Sequence, residues 1–207
     1  MNLLVLAKEP VPGRVKTRLC PPCSPAQAAD LAAAALADTL AAALGAGADR
    51  VVLALDGGPG AWLPAGVEVV EQRGRNLAER LAGAWEAMTG PTLQIGMDTP
   101  QLGPDGILAA SMALARPGAD AVLGLAVDGG WWGLGMVRPR SDVFHGIATS
   151  RPDTGARQHR RLLQLGMEVV PLPVLRDVDT FTDACVVAST HPASRFARAV
   201  RRLGVAV

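Results

Sequence analysis

The feature that most constrains this chain is an alternation of short, almost wholly apolar runs with longer stretches whose apolar residues recur at helical spacing. Apolar runs bounded by charge or glycine read as strands buried on both faces, and such strands belong to sheets covered by helices. The strand-like runs fall at residues 2–7, 50–55, 67–72, 92–96, 120–126, 131–137 and 167–172. Helical stretches follow Ser24, span 76–88, open at Pro104, cover 155–165, and begin again near Phe181 and Ala193. Ser24 supplies an N-cap and the glycines after the Ala/Leu segment a stop. Strands alternating with helices imply right-handed crossovers and a doubly wound α/β sandwich with a mostly parallel sheet. In such sheets ligands gather beyond the carboxyl ends of the strands. No repeat, low-complexity tract or linker divides the chain, so one domain over residues 1–207 is expected.

Composition excludes several classes. A net charge of +1 with both signs interspersed provides no field for nucleic acid or a membrane surface. The most apolar stretch, 31–48, is mostly alanine, carries Asp38 and is short for a hydrocarbon span. The first residues lack a basic segment before their brief apolar run and an A-x-A cleavage pattern, so a cytoplasmic location is expected. Three cysteines leave no disulfide framework. Cys20-Pro21-Pro22-Cys23 has C-x-x-C spacing with no second pair or nearby histidine, and reads as structural, with redox or metal use as the alternative. The basic segment 194–202 reads as the solvated face of a last helix.

The loop after the first strand, "AKEPVPGRVKTRL" at 7–19, holds the only two lysines, Lys8 and Lys16, in a chain whose other eighteen basic residues are all arginine. Pro10, Pro12 and Gly13 stiffen and turn it, and Arg14, Lys16 and Arg18 stand at alternate positions. It lacks the G-x-x-x-x-G-K-[ST] and G-x-G-x-x-G spacings, which disfavours those nucleotide-binding classes. A basic loop at this edge can still hold phosphates through side chains and backbone N–H groups, with a merely solvated loop as the alternative. As an exposed loop residue, Lys16 is expected to change stability by under about 0.5 kcal/mol when lost.

In "IGMDTPQL" (95–102), Asp98 directly follows a buried-type strand. Mg²⁺ takes one or two carboxylates plus substrate phosphates, so a carboxylate there suits the metal; capping of the next turn is the other reading. "DVDTFTD" (177–183) adds Asp177 and Asp179 on one side of an extended segment, and either one could complete a site with Asp98. An N-cap role for Thr180 or Asp179 is compatible with both readings. "DGGWWGLG" (128–135) sets two glycines beside two tryptophans, a combination that lets a sugar or base lie against a strand. Period-two alternation puts Trp131 and Trp132 on opposite faces, one of them in the core.

Together "AKEPVPGRVKTRL", "QRGRNLAERL", "IGMDTPQL", "DGGWWGLG", "SRPDTGARQHRRLLQLG" and "DVDTFTDA", in that order, resemble the DUF2064 group of glycosyltransferase-A-like nucleotide-diphospho-sugar transferases. The group is related to 2-phospho-lactate guanylyltransferase and molybdenum-cofactor guanylyltransferase, and includes glycosyltransferases assigned to arsenosugar biosynthesis. The resemblance implies a glycosyltransferase-A-like domain. It places nucleotide and phosphate contacts at Ala7, Lys8, Gly13, Arg14, Lys16, Arg18, Asp56, Gln72 and Arg80, with Arg73 in the same region. Acceptor or sugar contacts would come from Asp128, Gly129, Gly130 and Trp131, and Mg²⁺ or Mn²⁺ ligands from Asp98 and Asp179. Lys16, Arg18 and Asp98 would carry the chemistry. The chain departs from the glycosyltransferase pattern in having the single-Asp form Asp98-Thr99-Pro100 in place of D-x-D, a form more typical of nucleotidyltransferases. It also has Trp131-Trp132-Gly133-Leu134-Gly135 where related members carry an aromatic pair followed by Leu-Ile-Gly. The expected function is nucleotidyl transfer from a nucleoside triphosphate to a small phosphorylated acceptor. Glycosyl transfer from a nucleotide sugar, and nucleotide binding without catalysis, are the alternatives.

Overall fold

A computed structural model describes residues 1–204. In chain order the strands are β1 (Asn2–Lys8), β2 (Arg50–Asp56), β3 (Val67–Glu71), β4 (Thr92–Gly96), β5 (Ala121–Ala126), β6 (Trp131–Met136) and β7 (Val169–Leu175). The α-helices are α1 (Pro25–Gly45), α2 (Leu77–Glu86), α3 (Gly103–Leu114), α4 (Thr154–Gln164), α5 (Phe181–Thr190) and α6 (Arg195–Arg202). Short 3-10 turns occupy Thr17–Leu19 and Ser141–Phe144.

The strands form one sheet in the order β3-β2-β1-β4-β6-β5-β7. The β1–β2, β1–β4, β2–β3 and β5–β7 pairs are parallel, whereas β6 runs antiparallel to both β4 and β5. The expected mostly parallel α/β sheet is therefore present, with one reversed strand. Because β6 is reversed, its first residue, Trp131, lies at the same edge as the carboxyl ends of β1, β2 and β4.

Alternation along β1 divides the core. Leu3 and Val5 pack with Leu36 and Ile107 under α1 and α3, while Leu4 faces Trp85, Phe144 and Leu162 under α2 and α4. A third cluster joins Leu19, Leu31, Val178 and Phe196, all under 2% exposed. It fastens the loop after β1 to the segment before α5. Ser24 caps α1 as expected, and Gln27 completes a capping box with it. Among the described helices, α1 alone is long and apolar enough, by length and composition, to cross a membrane. Its Leu31, Leu36 and Leu40 are buried against the rest of the chain.

Most element ends fall within two residues of the sequence reading, and two departures go further. The last strand begins at Val169 rather than 167, because the Met167 amide still bonds the Leu162 carbonyl at the end of α4. It then runs through Pro171 and Pro173 to Leu175, which an edge strand tolerates because one row of its amides has no partner to lose. The basic segment 194–202 is not wholly solvated: Phe196 and Ala197 are buried, and Asp38 accepts from the amides of Arg195 and Phe196.

Candidate functional site

The carboxyl edge of the sheet opens into a cavity of about 810 Å³, a size suited to a nucleotide-like ligand. Its first wall is the loop after β1. A turn closed by the Arg14 amide on the Val11 carbonyl (3.0 Å) carries Gly13 at φ +76°. Buried Val15 and Leu19 bracket Lys16 and pin the loop down. Lys16 itself adopts left-handed φ 49°, ψ 37° as it enters the 3-10 turn. That turns its side chain inward, where it is only 8% exposed.

There the Lys16 ammonium lies 2.6 Å from Asp98 Oδ1 and 3.7 Å from Asp179 Oδ1, and donates to the Val178 carbonyl. Arg18 pairs with the other oxygen of Asp179 at 2.7 Å. The Val178 amide bonds the Asp98 carbonyl at 2.8 Å, which ties the late aspartate segment to the end of β4. Lys16, Arg18, Asp98 and Asp179, more than 160 residues apart at the extremes, thus meet in one ionic network. The expectation that Lys16 is exposed is overturned: its aliphatic stem is buried and its charge is paired.

The capping alternatives resolve locally. Thr180 caps α5 in a capping box with Asp183, which leaves the carboxylates of Asp177 and Asp179 free of that duty. Asp98 presents its carboxylate to Lys16, and α3 starts without a side-chain cap.

Asp177, Asp179 and Asp128 bring ligand oxygens within 4.8 Å of one another. Burial, then the charge of Asp128, with further repulsion from Asp179 and Asp98, pushes the Asp177 carboxyl up to about 6. Crowded carboxylates of this kind are a hard-oxygen donor set suited to Mg²⁺ or Mn²⁺. Thr99, beside Asp98, has a buried hydroxyl without a protein partner among the described residues. Asp128, which the sequence reading placed on the acceptor side, joins the cluster because the β5–β6 turn folds over the end of β7.

The other sequence-derived residues are distributed as follows. Gln72 donates from Nε2 to the carbonyls of Ala7 and Ala54, both at 2.8 Å, clasping the ends of β1 and β2. Arg80 pairs with Asp56 and reaches the Gly74 carbonyl at 3.3 Å. Ala7, Lys8, Arg14, Gln72, Arg80, Gly130 and Trp131 line the cavity together with the ionic network. Gly13 lies at the tip of its turn, Asp56 is turned toward Arg80, and Gly129 is packed behind Gly130 against Pro152, so these three stand back from it. Arg73 faces a separate groove beside α2. Trp131 lines the cavity and stacks on Phe144 (centroids 6.5 Å), whereas Trp132 is buried and donates to the Pro173 carbonyl at 2.9 Å. Cys20, Cys23 and Cys185 are free thiols; Cys23 lies in the third core cluster, and burial raises it from its ordinary value. The sequence reading gave no role to 149–152, which line the cavity before α4; the basic, proline-containing "SRP" ahead of a helix was the available signal.

The fold is shared with nucleotide-diphospho-sugar transferases and nucleotidyltransferases. One similar structure is a candidate nucleotide-diphospho-sugar transferase from Desulfovibrio desulfuricans G20, with 27% identity, TM-score 0.86, and coverage of 97% of this chain and 94% of that one. Rv0371c from Mycobacterium tuberculosis H37Rv, solved in complex with manganese, is similar at 25% identity and TM-score 0.53, over 90% of this chain and 96% of that one. A 2-C-methyl-D-erythritol 4-phosphate cytidylyltransferase from Thermus thermophilus shares the fold at 16% identity and TM-score 0.51, over 84% and 88% of the two chains. No curated protein matches the sequence. The family described as "Uncharacterized protein conserved in bacteria (DUF2064)" matches residues 27–151, and the chain belongs to it.

Proposed function

We propose that the protein is a divalent-metal-dependent nucleotidyltransferase that binds a nucleoside triphosphate and transfers its nucleotidyl group to a small phosphorylated acceptor. The observation that carries this reading is the Lys16–Asp98–Asp179–Arg18 network at the mouth of the cavity. It sets cations for phosphate directly beside oxygen donors for a metal. The similarity to a candidate nucleotide-diphospho-sugar transferase supports a nucleotide ligand, and the manganese complex of Rv0371c supports a divalent ion.

In this reading Lys8, Arg14, Lys16 and Arg18 receive the triphosphate, and Asp98 and Asp179, with Asp128 and Asp177 close by, hold Mg²⁺ or Mn²⁺. When bound, the ion supplies positive charge next to the reacting phosphates. Gln72 and Arg80 stand where the base and ribose would lie. An acceptor phosphate oxygen attacks the α-phosphorus in line; a new P–O bond forms as the bond to the β-phosphate bridging oxygen breaks, and its electron pair leaves with pyrophosphate. Lys16 and Arg18 neutralise the charge that develops on that leaving group.

Glycosyl transfer is the second reading, favoured by the exposed face of Trp131 beside Asp128 on the cavity wall. Calorimetry with nucleoside triphosphates and nucleotide sugars, with and without Mg²⁺, followed by product analysis, separates the readings. Pyrophosphate release is expected. Release of a nucleoside diphosphate without pyrophosphate would establish glycosyl transfer. Tight binding that Asp98→Ala leaves unchanged, with no turnover, would mark a non-catalytic binder, and binding to none of the ligands would end the transferase reading.

A further inference from the structure

Most cations around the cavity are already paired: Lys16 with Asp98, Arg18 with Asp179, Arg75 with Glu79 and Arg80 with Asp56. Among the described residues, Lys8, Arg14 and Arg151 line it without a carboxylate partner. Lys8 and Arg14 belong to the loop after β1. Arg151 approaches from the other side of the sheet order, from the segment that joins β6 to α4, beside the Asp128–Gly130 turn and Trp131. The cavity therefore has uncommitted positive charge at two separate places, with the acidic cluster present as well.

The backbone that carries Arg151 is held firmly. Its amide donates to Thr154 Oγ1 (3.1 Å), and that hydroxyl donates to the Ala148 carbonyl (3.0 Å). The Thr154 amide returns to the Arg151 carbonyl at 3.0 Å, and the Gly155 amide bonds the Gly129 carbonyl at 2.8 Å. The fit is close: a Cβ on Gly155 would lie 2.4 Å from the Gly130 carbonyl oxygen, and one on Gly129 1.9 Å from that of Pro152. With these first amides of α4 engaged, the Arg151 guanidinium is the strong donor that remains on this wall. The neighbouring carboxylate, Asp153, is held by Arg157 at 2.7 Å and adds only a through-space attraction.

We infer that Arg151 anchors the acceptor, gripping the phosphate of a small phosphomonoester whose carbon skeleton lies along Trp131. A guanidinium presents paired N–H groups that match a phosphate edge, and Arg151 lines the same cavity as Lys8, Arg14 and the acidic cluster. This rests on the nucleotidyl-transfer reading, with its small phosphorylated acceptor, and adds to it the residue that holds the acceptor's phosphate.

The test uses the whole protein loaded with Mg²⁺ and a non-transferable nucleoside triphosphate analogue. Glycerol phosphates, phosphoglycerates, 2-phospholactate and pentose and hexose phosphates are titrated by calorimetry, each beside its dephosphorylated counterpart. At least one phosphomonoester is expected to bind where its dephosphorylated counterpart does not. Arg151→Gln should weaken that binding by about 10- to 100-fold, the scale of losing charge-assisted hydrogen bonds, with the analogue's own Kd within twofold of wild type. Arg151→Lys should restore part of the affinity. Equal binding of the dephosphorylated counterparts, an unchanged Kd in Arg151→Gln, or loss of analogue affinity in that variant would each overturn the assignment. Analogue binding with no phosphomonoester bound overturns this inference and the phosphorylated acceptor while leaving the nucleotide site standing, whereas failure to bind any triphosphate analogue removes the nucleotidyl-transfer reading and this inference with it.

Discussion

Lys16 stands 2.6 Å from Asp98, with Asp179 at 3.7 Å and the Val178 carbonyl as a further acceptor. A buried stem and a paired charge make this lysine part of the architecture as well as part of the site. Lys16→Ala should lower kcat/KM by about two to three orders of magnitude, the scale of removing one preorganised electrostatic donor. Lys16→Arg should recover only a fraction, because a planar guanidinium cannot place its charge at the same point. Lys16→Ala should also lower stability by about 1 kcal/mol, since Asp98 loses a charged partner while remaining half exposed to water. Chemical denaturation and steady-state kinetics check both. Wild-type activity in both variants would remove the lysine from the phosphate site.

The same ammonium bears on metal affinity. A positive charge at these distances from Asp98 and Asp179 opposes a divalent ion at the same oxygens. Without nucleotide, Lys16→Ala should bind Mn²⁺ about tenfold more tightly than wild type, and Asp179→Asn more weakly, as followed by the loss of the free Mn²⁺ resonance signal. Identical Mn²⁺ affinities in wild type and Lys16→Ala would place the ion away from this pair.

What the sequence shows and hides follows the range of the interactions involved. Runs such as 3–7 and 51–55 are apolar throughout because both faces are covered, so strand positions are legible from a few neighbours. Asp98 is legible as a site residue because it stands at the end of such a run, and Lys16 because it lies in the basic loop that joins the first run to α1. The reversal of β6 against β5 follows from a link of four residues, 127–130, too short for a parallel crossover and closed by the Gly130 amide on Asp128 Oδ1 at 2.7 Å; its pairing with β4 is what no local pattern gives. The meeting of Asp128 with Asp177 and Asp179, and the seating of Arg151, depend on that turn packing against α4 and β7. No local pattern records contacts between segments so far apart in the chain.

Asp177 provides a pH signature. Its carboxyl is raised from an ordinary value of 3.8 to about 6, chiefly by burial and by Asp128. Between those values the native state keeps a proton that the unfolded chain has released, so stability falls as pH rises through that window, and the loss is complete above it. Asp177→Asn removes the effect. In the presence of a chelator, the variant should melt higher than wild type at pH 7 to 8 and lose that advantage progressively toward pH 4. A Tm difference that does not change over this range would mean Asp177 is not the titrating group.

Gly129 and Gly13 separate a steric requirement from a conformational one. Both have positive φ, but a Cβ at Gly129 would lie 1.9 Å from the Pro152 carbonyl oxygen, while nothing lies within 4 Å of one at Gly13. Gly13→Ala should cost about 1 kcal/mol, the ordinary penalty of a side chain in that backbone region. Gly129→Ala carries the same penalty and must also push the β5–β6 turn off α4, so it should cost at least about 3 kcal/mol. Equilibrium denaturation reads the difference, and equal costs would show that the turn yields freely.

The adjacent tryptophans should divide stability from recognition. Trp132 is 4% exposed, its indole lies so close to Gly124 that a Cβ there would sit 2.3 Å from the ring, and its Nε1 donates to the Pro173 carbonyl of the edge strand. Trp132→Ala should therefore cost about 3–5 kcal/mol through the cavity it leaves, and more if the Pro173 carbonyl stays dry. Trp131 is only half-buried, lines the cavity and rests on Phe144. Trp131→Ala gives up part of one aromatic stack, worth about 0.5–1.5 kcal/mol beyond the area lost, and opens the wall on the acceptor side. It should leave the nucleoside triphosphate Kd within twofold of wild type and raise the KM for the acceptor. If Trp131→Ala instead weakened nucleotide binding with acceptor KM unchanged, the aromatic wall would belong to the base, and the two sides of the cavity would have to be exchanged.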